Sequence, residues 1–492
     1  MGKQFSMYLL CLAAFFAAQF NRAQAKPNAS GAPEQTDKAT SGSVSFDVPP
    51  VNDDWASEVS ASPFMTAWAN DEPAATLDGP DVELKEFRLD ELEASLARIE
   101  PGLERDYFSG MLANRVGRIA ESIQLLRGVL PRLRTPRPDR AAMALVTLAD
   151  DYDKSFQYAD EDRAYEDLLN HFSNQLSPEE LRSTKDDAAI AHILRDAPPQ
   201  TIRWDGSVRL KTERNPLQSM NVELSVNGVQ AQWLLDTGAN HSVVSKSFAE
   251  RLGLKFAPGA AEAQGGLTGI ESPLRLALLP TLQMGGATLQ NVVVLVVDDG
   301  NLDINLGKYS YQIHGIIGYP VFQALGTITF QHAGEFTAGY KTRVTSEGAR
   351  MYMKLLTPVI ECKLAGKNLP FGFDTGAASS ELSVRYYRDF RGESKSWKKD
   401  AVKTAGMGGA VIRQIYTQQQ MKLGIGDKTV TLRNVPISLT GAGTKHDEVY
   451  GNLGQDIVAN FESFTLDFST MRFVLGTPLH SNQEPLATPK NK

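Results

Sequence analysis

Apolar positions recur at helical spacing from about residue 82 to about residue 196, and beyond residue 207 they give way to short strand-like runs broken by glycine and asparagine. Leu112, Val116, Ile119, Ile123, Leu126 and Leu130 step by four, three, four, three and four, which predicts one apolar helical stripe ending at Pro131. A second set runs through Leu145, Leu148, Tyr152, Phe156, Tyr165, Leu168 and Phe172. Residues 26–80, rich in Ala, Ser, Pro, Asp and Gly, show no lasting periodicity and read as a disordered linker.

The strand-like region contains the same arrangement twice. Asp236-Thr237-Gly238 and Asp374-Thr375-Gly376 are each followed by Ala, and each lies eight residues past a turn pair, Asn227-Gly228 (236 − 228 = 8) and Ala365-Gly366 (374 − 366 = 8). Those pairs sit between strand-like runs, as hairpin turns do. The approaches to the acids, Trp233-Leu234-Leu235 and Phe371-Gly372-Phe373, are apolar enough to enter a core. Downstream come two glycine clusters, Gly265-Gly266-Leu267-Thr268-Gly269 and Gly406-Met407-Gly408-Gly409. Each half then carries another hairpin-like stretch, residues 282–292 and 423–435. Last come Gly315-Ile316-Ile317-Gly318 and Gly451-Asn452-Leu453-Gly454, ending 82 (318 − 236) and 80 (454 − 374) residues past their acids. A period of about 135 residues is too long for a solenoid and suits two lobes.

With these motifs, residues 207–478 resemble the aspartic peptidases, and among them the retropepsin-like units of bacterial proteins. The resemblance implies a β-barrel lobe from each repeat, with the triplets meeting between them. Asp236 and Asp374 are then the catalytic acids, Thr237, Gly238, Thr375 and Gly376 their support, and Gly265, Gly266, Gly269, Gly406, Gly408 and Gly409 belong to flaps over the substrate or to ordinary loops. Two departures stand out. Asn452 occupies a position where the family usually has an aliphatic residue, and neither glycine cluster has the flap tyrosine of pepsins. In the helical region, residues 114–123 and 158–169 resemble the turns and second helices of tetratricopeptide-type hairpins.

The chemistry follows from electrostatics. Two carboxylates about 3 Å apart at an effective dielectric of about 20 repel by about 5 kcal/mol, or about 4 pK units, so they share one proton over a broad acidic to near-neutral range. This is the situation known in aspartic proteases. The ionised member takes a proton from water while the protonated member donates to a peptide carbonyl, and no metal, cofactor or covalent nucleophile enters. The pair titrates as a unit, so the residues alone do not say which Asp is the first acid. The threonines offer hydroxyls able to tie the two loops together, and the glycines permit close backbone approach.

Composition narrows the remaining classes. A net charge of −8 and no basic stripe oppose nucleic-acid binding. His241 and His314 have no ligand partner at metal spacing. Residues 1–25 read as a secretory signal, with Lys3, an apolar run from Met7 to Phe20, and Ala23-Gln24-Ala25 as cleavage site; a retained anchor is the alternative. Cys11 leaves with the signal, so Cys362, a strand core position matching Leu224, is the one mature thiol, and internal disulfides are excluded. That combination suits a periplasmic or secreted bacterial protein.

The expected organisation is multidomain: signal 1–25, linker 26–80, an all-α helical-hairpin domain at 81–198, two mainly β acid-protease-like barrel lobes at 205–345 and 346–478, and a tail at 479–492. The expected activity is hydrolysis of a polypeptide substrate by a monomer whose two lobes pair within one chain. The helical domain is read either as a surface for a protein partner or as a pro-region covering the cleft. A scaffold acting through its helices, with degenerate lobes, and lobes paired between chains are the rival readings.

Overall fold

The computed structural model describes residues 16–17, 79–216, 219–264, 271–305, 310–339, 348–406, 409–438 and 448–479. The signal, nearly all of the linker, Gly265, Gly266, Gly269, Gly408 and residues 480–492 of the tail lie outside the described residues. Helices fill the N-terminal region and strands the rest.

Seven helices run in sequence: α1 (Pro80–Lys85), α2 (Leu89–Leu96), α3 (Leu103–Arg115), α4 (Ile119–Leu133), α5 (Pro138–Lys154), α6 (Tyr158–Phe172) and α7 (Pro178–Leu194). Successive helices fold back on one another at residues with positive φ, Phe87, Gly117 and Phe156. The single stripe expected from Leu112 to Leu130 is therefore two helices. Gly117, at φ 74°, breaks the stripe after Val116, because glycine reaches the left-handed region without a Cβ penalty. Pro131 does not end the second helix but lies inside its last turn. α7 opens on a capping box: Ser177 Oγ accepts from Glu180 N, and the Glu180 carboxylate accepts from Ser177 N. Leu92, Phe108, Met111, Leu126, Leu145 and Leu168 form the apolar centre of this region.

The strand region repeats itself as the sequence does. In the first repeat strands Met220–Val226 and Val229–Leu235 form a hairpin, and in the second Thr357–Leu364 and Lys367–Phe373 do the same. Both turn pairs have φ positive at both positions, Asn227 and Gly228 at 50° and 78°, Ala365 and Gly366 at 50° and 81°. That is the mirror-image turn whose twist matches its flanking strands. Cys362 lies in the second hairpin and is buried; burial pushes its thiol up, as suits a core residue and not a reactive one. A long hairpin follows in each repeat, Glu271–Met284 with Ala287–Val297 and Gly409–Ile425 with Lys428–Ser438, with turns at Gly285 and Gly426.

One shared sheet joins the repeats. Strand Thr327–Gln331 of the first pairs antiparallel with Ser463–Asp467 of the second. Thr329 and Thr465, 136 residues apart, face each other there with hydroxyls 2.8 Å apart, and Phe330 stacks on Phe464 at 4.7 Å. The sheet continues outward through Glu335–Ala338 to Val208–Lys211 on one side, and through Arg472–Leu475 to Ala349–Arg350 on the other. The two repeats are thus built around a common apolar core that includes Trp233, Phe248, Phe330, Phe371, Phe373 and Phe473.

Candidate active site

Each Asp-Thr-Gly loop begins where its approach strand ends. Strand Gly315–Ile317 runs parallel to Trp233–Leu235 and antiparallel to Val243–Val244, so it threads between the two strands flanking the first loop. Strand Gly451–Leu453 threads in the same way beside Phe373 and Leu382. The backbone at the loops then repeats bond for bond. Asp236 N donates to Ile317 O and Asp374 N to Leu453 O, each at 3.0 Å. Tyr319 N donates to Ala239 O and Gln455 N to Ala377 O, each at 2.8 Å.

The later glycine pairs explain themselves by proximity. A Cβ on Gly318 would lie 2.5 Å from the His241 carbonyl, and one on Gly454 2.7 Å from Ala377 O. No larger residue fits against those loops. Gly318 N and Gly454 N each donate to a serine hydroxyl, Ser242 and Ser380 respectively, at 3.1 Å. Sequence reasoning missed these serines. The signal was present, because each lies six residues past its Asp (242 − 236 = 6; 380 − 374 = 6).

The two loops meet through their threonines. Thr237 N donates to Thr375 Oγ1 at 2.9 Å, and Thr375 N donates to Thr237 Oγ1 at 3.1 Å. Each hydroxyl then donates onward to the approach strand opposite, Thr375 Oγ1 to Leu235 O at 2.9 Å and Thr237 Oγ1 to Phe373 O at 3.5 Å. Two residues 138 positions apart in the chain are locked face to face. This lock brings the carboxyls together. A Cβ on Gly238 would lie 2.4 Å from Asp374 Cγ, and one on Gly376 2.6 Å from Asp236 Cγ, so only glycine leaves room for the acid of the other repeat.

Both acids are fully buried. Asp236 Oδ1 accepts from Gly238 N at 2.9 Å and from Ala239 N at 3.1 Å, while Asp374 Oδ1 accepts from Gly376 N at 2.7 Å. Burial, then the neighbouring Asp374 carboxyl, push Asp236 well above the usual carboxylate range. Burial also raises Asp374, opposed by its hydrogen bonds with Asp236, Gly376 N and the Asn452 amide. Asp236 Oδ2 has no donor of its own among the described residues, so the proton it can share with Asp374 is what satisfies it. Two hydrogen-bonded buried carboxyls that cannot both ionise are suited to accept one proton while donating another.

Residues 222–321 match the aspartyl protease family. The aspartyl protease match takes in Asp236 and ends just past Gly318, so it spans the first repeat, and the second triplet lies beyond it. No curated protein matches the chain. Among solved structures, the basic 7S globulin of soybean is 10% identical over 56% of this chain and 95% of its own, with a TM-score of 0.35. Conglutin gamma of lupine seeds is 9% identical over 56% and 96%, with a TM-score of 0.34. A retropepsin-like aspartic protease of Rickettsia conorii is 16% identical over 29% and 94%, with a TM-score of 0.19. With TM-scores this low, the functional reading rests on the aspartyl protease match and the geometry of the acid pair.

The remaining expected positions separate from the pair. Gly406 and Gly409 face each other across the end of the hairpin formed by Lys398–Gly406 and Gly409–Ile425. Ala261–Gln264 pairs with Glu271–Pro273 and Leu274 in the same manner, which places the first glycine cluster between the ends of a hairpin. His241 Nε2 lies 3.5 Å from Asp153 Oδ2 of α5, and the His314 ring packs on Phe248. Asp162, Glu166 and His192 on α6 and α7 bring three ligand-type atoms within 4.8 Å of one another, and the Arg195 guanidinium sits 3.2 Å from His192 Nε2.

Proposed function

We propose that the protein is an exported aspartic endopeptidase in which Asp236 and Asp374 form one water-activating pair between two lobes of a single chain. The observation that carries this reading is the reciprocal threonine lock, which sets two buried carboxyls from different repeats against each other. In the reaction the ionised carboxylate removes a proton from water as the water oxygen adds to the peptide carbonyl carbon. The protonated partner gives its proton to the carbonyl oxygen, producing a neutral gem-diol. Collapse of the diol breaks the C–N bond: the first carboxyl hands its proton to the departing nitrogen and the second recovers one from the diol hydroxyl. The products are a carboxylic acid and an amine, and the pair returns to its starting state. An extended polypeptide would pair with strand edges at the cleft, side-chain pockets setting preference. Nucleic acid and cofactors have no part in this scheme, and residues 1–25 would direct export.

For the helical domain the pro-region reading is favoured over the docking surface. Tyr158, Ile190 and Leu194 share one apolar cluster with Leu234, Ala239 and Ile316, which flank the acid of the first repeat. On the other side, Arg385 of the second repeat donates to Glu86 O at 3.1 Å. A domain so bound across both repeats restricts access to a buried pair. Loosening it with Leu194→Ala should raise the rate of peptide cleavage while lowering the melting temperature. A fall in both together would favour a merely structural domain.

The deciding experiment is cleavage of an unfolded polypeptide by the full chain from acidic to neutral pH, beside Asp236→Asn and Asp374→Asn. Either variant should lose about 10²–10⁴-fold in rate with its fold intact. Unchanged cleavage in both would remove the pair from the mechanism, and a folded parent without cleavage at any pH would favour the scaffold reading.

A further inference from the structure

The two halves of the acid pair are not equivalent, and the difference lies at one strand position. In the first repeat Ile316 pairs in register with Leu234, two residues before Asp236. In the second, Asn452 pairs with Gly372, two residues before Asp374. The Asn452 amide donates to Asp374 Oδ2 at 3.4 Å, whereas Ile316 has nothing to donate and Asp236 Oδ2 has no donor among the described residues. Gly372 makes room for this contact: a Cβ there would lie 2.7 Å from Asn452 Oδ1. Glycine and asparagine thus occur as a matched pair where the first repeat has leucine and isoleucine. The outer oxygen of one acid is supplied with a donor, and that of the other is not.

We infer that Asn452 divides the labour of the pair, holding Asp374 as the carboxylate that takes the proton from water and leaving Asp236 as the member that carries a proton to the substrate carbonyl. This rests on the peptidase reading above. A donor aimed at a carboxylate oxygen favours the ionised form, and an oxygen without a donor favours retention of its own proton. The directions of the two shifts agree, Asp236 being driven further upward than Asp374. Other charged groups on the packed elements are engaged elsewhere. Arg214 donates to Gln455 Oε1, whose amide in turn donates to Thr375 O at 2.7 Å. Asp456 accepts from Ser380 N at 2.9 Å and Ser380 Oγ at 2.6 Å, and His241 faces Asp153. None of these is a leading influence on either carboxyl. Asn452 touches the reacting acid and not the substrate, so it is a positioning residue.

The test uses the full chain with a single acid left in place. Difference ¹³C NMR of the aspartate carboxyls follows Asp374 in Asp236→Asn and Asp236 in Asp374→Asn. Asp374 should titrate at least about one pH unit below Asp236. Adding Asn452→Leu to the first variant should raise Asp374 by about one unit, and adding it to the second should leave Asp236 in place. If Asn452→Leu does not fold, Asn452→Ala removes the same donor by deleting atoms only. A gap that survives loss of the amide overturns the inference, and so does a reversed gap, which would mean that the Asn452 carbonyl faces a protonated Asp374. Because these titrations need no cleavage, the inference can fail or hold independently of the peptidase reading.

Discussion

The first repeat meets its acid with hydrocarbon and the second meets its acid with an amide. Leu234 and Ile316 are both buried beside Asp236, whereas the corresponding Gly372 and Asn452 leave a partly open, polar wall beside Asp374. Everything beneath that wall is matched: the strand-to-acid bonds, the glycine amides, the serine hydroxyls and the threonine lock. A duplicated scaffold therefore keeps the residues that hold two carboxyls together and varies those that tell them apart. Function needs both, since a shared proton must have a preferred side before water is activated.

The largest expected effect on stability comes from the hydrocarbon side. Leu234→Ala should destabilise the protein by about 2–5 kcal/mol in denaturant unfolding, because a fully buried side chain leaves a cavity. Gly372→Ala should cost far less and instead displace the Asn452 side chain, visible as a shifted acid limb of the pH–rate profile. Equal losses at the two positions would break the comparison.

The threonine lock is itself slightly uneven. The Thr375 hydroxyl reaches Leu235 O at 2.9 Å, and the Thr237 hydroxyl reaches Phe373 O only at 3.5 Å. Thr375→Val strands a buried carbonyl and a buried N–H, which should cost about 1–3 kcal/mol per group. Thr237→Val should cost less by equilibrium unfolding. If the order is reversed, the longer bond is the stronger one and the account of the lock is wrong.

The smallest effect separates burial from pairing across repeats. Asp151 in the helical region is buried beside Asp150, accepts from Asn114 and Ser122, and is pushed up to about 7, first by burial. A carboxyl raised on folding contributes stability that is full below its unfolded value and is lost as pH rises through the folded one. The melting temperature should therefore fall as pH rises from about 4 through 7, and Asp151→Asn should flatten some of that fall by about 3 °C. An unaltered slope would mean that other buried acids of the region, Glu161 and Asp187 among them, carry the whole dependence.

Much of the site was legible because duplication makes spacing informative. The turn pairs, approach strands, acids and later glycines all stand at repeated offsets, and each has its place in the strand region. Helical periodicity was legible in kind but not in its breaks, since a stripe through Leu112 and Ile119 keeps its spacing while Gly117 turns the chain between them. Contacts between distant segments were not legible. Nothing local to Asp153 or His241 announces that they meet. Asn452 stood out as a departure in packing, and its reach to Asp374 required knowing that Gly372 lies beside it.

The central claim is that Asp236 and Asp374 act as one unit, and a double-substitution cycle on peptide cleavage tests it most directly. If they share one proton in one reaction, Asp236→Asn with Asp374→Asn should lose no more activity than either change alone, because either one already disables the unit. Losses that multiply in the double variant, or a single variant that keeps most of its activity, would contradict the account.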